Sequence, residues 1–237
     1  MSAAVPKAEL HVHLEGTARP ELIRRIAARN AMRLPPGLFA DDDTFAWRDF
    51  LDFLRTYDLA ASVIRTAQDY RDVVFEYLAD VANHPEFMEH FTKDWHVTRE
   101  DTYGKGAGVR FAFRQRRNKF PWIDQTIHDF EPPRRLVLVG RTGKFNRVRT
   151  LTTWELEPSS GGGTRVQVSF EKVPKMFSDR FGEGRGFHRA KWRKTVKVLR
   201  DVLEGERERG PRATIAGGAR KPATGFRFGA RVSGTTK

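Results

Sequence analysis

Residues 148–173 read VRTLTTWELEPSSGGGTRVQVSFEKV. Thr150, Thr152, Trp154 and Leu156 alternate with Arg149, Leu151, Thr153 and Glu155. After Gly161-Gly162-Gly163, Val166, Val168 and Phe170 alternate with Arg165, Gln167 and Ser169. A period of two puts one set of side chains on one face of a strand, so two strands joined by a glycine turn are predicted. Working toward the N-terminus, Val109, Phe111 and Phe113 alternate with Arg110, Ala112 and Arg114. Ile123–Phe130 and Arg135–Arg141 are two more strands, separated by Pro132-Pro133. Spacing this even predicts an antiparallel meander. On the C-terminal side, a glycine-rich loop leads into a helix over about Phe187–Leu203. Its apolar residues Trp192, Val196, Leu199 and Leu203 have the 4-3-4 spacing of one buried stripe. A long helix laid on an antiparallel sheet is an α+β arrangement.

The preceding residues have a different period. Leu10, Val12 and Leu14 alternate with His11, His13 and Glu15, which predicts a strand over 8–16. Gly16-Thr17 ends it, and Thr17 caps a helix from about Pro20 to Asn30. Further helices are predicted over 44–61 and 69–81, the first after the Pro35-Pro36-Gly37 connector. Ser62–Thr66 fits an edge strand, because Val63 and Ile64 favour strands, and equally a continued helix.

Composition narrows the function classes. The 237 residues carry a formal net charge of +13 and no cysteine. Disulfides, thiolate metal sites and thiol nucleophiles are therefore excluded, and a reducing cytoplasm is the expected compartment. No run approaches the roughly 20 apolar residues of a membrane span, and the first residues lack the pattern of a secretory signal. Residues 209–237 hold basic side chains and no acidic one, and they are rich in Gly, Ala and Thr. Such a segment has too little apolar surface to offset ordering entropy and reads as a mobile, disordered tail. A basic tail of this kind can bind nucleic acid through counterion release, although tails of like charge are more often just solvated, and no other segment points to nucleic acid.

His11 and His13, two apart on a strand, share a face. Two imidazoles placed so can share a zinc ion, although a catalytic zinc takes three protein ligands and a water. The residues around them, PKAELHVHLEGTARPELIRRIAARN (6–30) and FLDFLRTYDLAASVIRTAQDYRDVVFEYL (50–78), resemble the start of the adenosine deaminase family over about 5–78. The resemblance implies the first part of a (β/α)8 barrel, with His11 and His13 as zinc ligands. The family also needs a third zinc histidine, a glutamate in a His-Ala-Gly-Glu context, a further histidine and an aspartate. His84, His90, His96, His128 and His188 have no such context. The deaminase-like part is therefore expected to be catalytically incomplete.

A second resemblance covers about 74–204. VFEYLADVANHPEFMEHFTKDWHV (74–97), FEPPRRLVLVGR (130–141), TLTTWELE (150–157) and the Trp192 helix are similar in order and spacing to the START-like SRPBCC superfamily, the polyketide cyclase/dehydrase and lipid transport class. That likeness implies a helix-grip fold, a curved antiparallel sheet wrapped on a long C-terminal helix around an apolar cavity. The expected lining is Phe111, Phe113, Trp154, Leu156, Val166, Val168 and Phe170 on the sheet, with Trp192, Val196 and Leu199 on the helix. Aromatic residues at strand or helix spacing also serve as plain core.

The sequence thus predicts a deaminase-like part (1–73), a helix-grip domain (74–208) and a basic tail (209–237). No acid–base pair or nucleophile stands out, so binding of a small hydrophobic ligand, lipid-like or polyketide-like, is favoured over catalysis. The alternatives are a zinc-dependent deaminase piece that needs a further chain, and a basic interaction protein acting through its tail.

Overall fold

The computed structural model describes residues 14–114, 119–173 and 187–205. The chain starts with a short 3-10 turn, Leu14–Thr17, closed by a 2.7 Å hydrogen bond from Thr17 Oγ1 to the Leu14 carbonyl. These residues are not strand, which corrects the C-terminal end of the expected 8–16 strand; its residues 8–13 lie outside the described residues. The helices that follow are α1 (Pro20–Arg29), α2 (Phe50–Ser62), α3 (Ala67–Ala79) and the one-turn α4 (Pro85–Met88). Then come β1 (Thr92–Val97), β2 (Gly108–Phe113), β3 (Trp122–Glu131), β4 (Arg135–Thr142), β5 (Val148–Pro158) and β6 (Thr164–Val173), and last α5 (Phe187–Leu203).

Local chemistry sets the helix starts. Pro20, with its fixed φ and no N–H, opens α1. Thr17 does not cap it. The carboxylate of Glu76, on α3, instead accepts the Arg19 N–H at 3.3 Å. Helix α2 starts at Phe50 rather than 44, because Asp49 accepts the Asp52 N–H while Phe39 and Phe45 form a β-bridge ahead of it. At Val63 the chain turns out of α2, and a reciprocal box between Thr66 and Asp69 starts α3. Of the two readings of Ser62–Thr66, helix continues only to Ser62, and residues 63–66 form neither strand nor helix. Among the described residues, the first strand of the sheet is β1.

The sheet is six-stranded and antiparallel, in the order β1-β2-β3-β4-β5-β6. Register places Leu136, Trp154 and Val168 side by side on the inner face, with Leu138, Thr152 and Phe170 in the next row. Gly140 stands in the row beyond, opposite Thr150, for steric reasons. A Cβ there would meet Thr150 Oγ1 at 2.5 Å, the Asp124 carbonyl oxygen at 2.6 Å and Gln125 Cγ at 2.8 Å. Buried apolar side chains from Leu14 to Val202 form one core that joins α1, α3, the sheet and α5. Helix α3 runs unbroken through Val73 and Val74, so the expected division at 73/74 falls within one helix.

Helix α5 turns its stripe slightly from the expected one. Thr195, Val198, Leu199 and Val202 are buried, while Trp192, Val196 and Leu203 are half-buried at the flank. The cause is α4 and the residues after it. The Phe91 ring lies 5.9 Å from Trp192, edge to face, and His90 Nε2 is 3.2 Å from the Lys191 carbonyl.

Candidate functional site

The middle of the sheet's inner face is filled with aromatic rings. Trp95 stacks on Phe111 at 4.0 Å between centroids, and Phe113 packs on both Phe111 and Phe91. Trp154 meets Phe87 edge to face at 5.8 Å and Trp192 at 6.1 Å, and Phe170 lies 5.2 Å from Trp192. Phe111, Phe113, Trp154 and Leu156 are buried in this cluster, and Val168, Phe170 and Trp192 are half-buried against it. The rings of α4 and its neighbours occupy the space that a sheet-and-helix reading leaves open.

The cavity lies to one side, at the C-terminal end of α5. It has a volume of about 560 Å³, within the range of small-molecule sites. Val166, Val196 and Leu199 of the ten expected residues line it, together with Leu14, Val74 and Leu203. Its polar rim is Glu15, Tyr70, Thr164, Arg200 and Glu204. Tyr70 donates from its hydroxyl to Glu15 Oε1 at 3.2 Å. Burial, then the neighbouring Glu15 carboxylate, raises the Tyr70 pKa, which keeps the phenol a donor. Arg200 forms ion pairs with Asp201 at 2.9 Å and Glu204 at 3.6 Å.

One wall therefore comes from the deaminase-like residues, through Leu14, Glu15 and Tyr70. Sequence reasoning missed these because they reach the cavity only through tertiary packing. Leu203, by contrast, has a signal: it continues the Trp192, Val196, Leu199 stripe. Leu14 is fixed there by the 3-10 turn, and α3 holds Tyr70 and Val74 one helical turn apart on one face.

A second polar cluster ties the N-terminal helices to the sheet. Glu76 is only 3 % exposed. Besides the Arg19 N–H, its carboxylate faces the Tyr103 hydroxyl at 3.5 Å, and the Arg19 guanidinium lies 4.1 Å over the Tyr103 ring. Burial pushes Glu76 up to about 7 against the pull of Arg19, and burial with the Glu76 charge raises Tyr103. Nearby, Arg29 bonds both Asp69 and Asp72. Burial alone would raise the Asp69 carboxyl, but hydrogen bonds from Asn30, Arg29 and the backbone of Arg65 and Thr66 hold it well below the usual range. This cluster joins α1 to α3.

His11, His13 and the tail 209–237 lie outside the described residues, as does the side chain of His188. Among the described residues, no group of three or more His, Cys, Asp or Glu side chains gathers as a metal site. Among them too, no helix is long and apolar enough to cross a membrane.

Comparison with known proteins agrees with the N-terminal motif. Residues 6–94 match the family model for adenosine deaminase. An adenine deaminase of Cupriavidus pinatubonensis is 38 % identical over 128 residues, which cover 52 % of this chain and 36 % of the relative. An aminodeoxyfutalosine deaminase of Acidothermus cellulolyticus is 45 % identical over 83 residues, covering 34 % and 23 %. The chain thus spans about a third or less of these curated relatives. Among solved structures, a Chromobacterium violaceum protein aligns over 61 % of this chain and 94 % of its own, with 17 % identity and a TM-score of 0.43. Ginseng major latex-like protein 151 aligns over 59 % and 92 %, with 9 % identity and a TM-score of 0.40.

Proposed function

We propose that this protein binds a small hydrophobic ligand, lipid-like or polyketide-like, in the cavity between α3, β6 and α5, without acting on it. The observation that carries the reading is the cavity itself. It combines apolar lining (Leu14, Val74, Val166, Val196, Leu199, Leu203) with a few polar side chains, Glu15, Tyr70, Thr164, Arg200 and Glu204. An apolar body with a hydrogen-bonding group matches that combination. Burying about 300 Å² of apolar ligand surface gains roughly 7 kcal/mol before ordering costs, near the value of micromolar affinity. Among the described rim residues, the Tyr70 hydroxyl donates to Glu15 and burial makes its proton harder to remove, while Glu204 is paired with Arg200.

In this reading the deaminase-like segment builds a cavity wall and does not deaminate. The deaminase chemistry would need zinc, and His11 and His13 alone leave half of a tetrahedral site to water. Titration with an environment-sensitive apolar dye tests the proposal. Wild type saturates at micromolar dye. Val196→Trp, which fills the space, binds at least tenfold more weakly and remains folded. A dye that does not bind, or that binds the variant equally, contradicts it.

A further inference from the structure

The sheet has two edge strands, and they are built differently. On β1 the register breaks between Lys93 and His96, Asp94 has φ of 55°, and Lys93 pairs with Asp94 at 3.0 Å. A bulge and exposed charges of this kind turn an edge away from further pairing. Strand β6 carries charges at Arg165, Glu171 and Lys172 but has no bulge. All ten of its residues, Thr164–Val173, pair with β5 without a shift, and no strand among the described residues lies on its other side. Alternate N–H and C=O groups of β6 therefore face outward. Burial also fades at this edge. Val166 and Val168 are half-buried, although their β5 partners Leu156 and Trp154 are buried.

We propose that β6 pairs antiparallel with β6 of a second copy, centred on Val168, so that two six-stranded sheets become one continuous sheet. The strand's own sequence selects this register. With Val168 opposite the partner subunit's Val168, Arg165 stands opposite the partner subunit's Glu171, and Glu171 opposite the partner subunit's Arg165. Arg165 and Glu171 are exposed on the outer face. On the inner face Val166 stands opposite the partner subunit's Phe170. Sliding two residues one way sets Arg165 against the partner subunit's Ser169. Sliding the other way sets Val166 against the partner subunit's Lys172. Both slips lose the two ion pairs. A two-fold axis repeats each contact, so one complementary pair in the strand counts twice.

The pairing has a consequence for the cavity, although it does not depend on what the cavity binds. Thr164 and Val166 form the β6 part of the cavity lining. The partner subunit's Phe170 would stand beside Val166 and extend that wall with an aromatic ring.

Sedimentation of the full chain over about 1–100 μM, a span that brackets micromolar association, tests the proposal. Salt at about 0.15 M limits the repulsion between two basic chains to roughly 8 Å. Wild type shows a concentration-dependent dimer. Arg165→Glu and Glu171→Arg each weaken it at least roughly tenfold, because each sets like charges opposite one another twice. The double variant, with the charges exchanged, restores it. A monomer at every concentration overturns the proposal, as does a dimer indifferent to both single variants. Hydrogen-exchange protection of the outward β6 amides in a monomer also overturns it, by assigning the edge to this chain's own residues, such as 8–13.

Discussion

Replacing Glu76 by glutamine should remove a pH dependence from the stability of this protein. Glu76 is almost fully buried between α1, α3 and the Tyr103 loop, and its pKa rises from 4.5 to about 7. A carboxyl whose folded pKa exceeds its unfolded one prefers to be protonated in the folded state. Its contribution is therefore complete below pH 4.5 and is lost as pH rises through 7. The shift corresponds to about 3 kcal/mol across that window, or roughly 6–12 °C in melting temperature for a chain of this size. Burial lowers the His84 pKa, so charging His84 opposes folding as pH falls, and the two effects overlap. The difference between wild type and Glu76→Gln isolates the carboxyl. Glutamine keeps an oxygen for the Arg19 N–H, so the two proteins should match below about pH 4.5. Thermal melts from pH 5 to 8.5 should then separate, the variant becoming the more stable. Parallel curves would show that Glu76 is solvated or already ionised at pH 5, and the account of this cluster would fail.

Gly140→Ala should lose about 1–3 kcal/mol in urea unfolding, because the new Cβ meets the Asp124 backbone oxygen, which cannot move without opening the sheet. Gly161→Ala, with open space around its Cβ, should change little at the contact level and serves as the control. Calorimetry with zinc should show weak binding or none, and the His11→Ala, His13→Ala double variant should match wild type. A tight stoichiometric site lost in that variant would mean that further ligands converge on the two histidines.

Strands β5 and β6 were legible because each turns one face inward, and such a strand writes that face into every second residue. Strand β1 was not, because the bulge at Lys93–His96 interrupts the alternation that would reveal it. The N-terminal helix was placed correctly from Pro20 and its apolar face, yet the expected cap does not form. Thr17 turns its hydroxyl back to the Leu14 carbonyl, no side chain caps the first turn, and the Arg19 N–H ahead of it goes to Glu76, 57 residues away. The cavity shows the same limit. Val166, Val196 and Leu199 carry a periodic signal, whereas Leu14 and Tyr70 join them only once α3 has packed against the sheet. The central aromatic residues read as lining because alternation reports which face is inward, not whether another element fills the space. Phe87 and Phe91 fill it.

The cavity's role is tested most directly by locating a bound ligand. Nuclear Overhauser contacts between an apolar dye and methyl-labelled protein report which side chains lie against it. The account predicts contacts to Val74, Val166, Val196, Leu199 and Leu203, with none to Val109 or Ile123, which are buried in the sheet. Contacts confined to other methyls, or none at saturating dye, would contradict it.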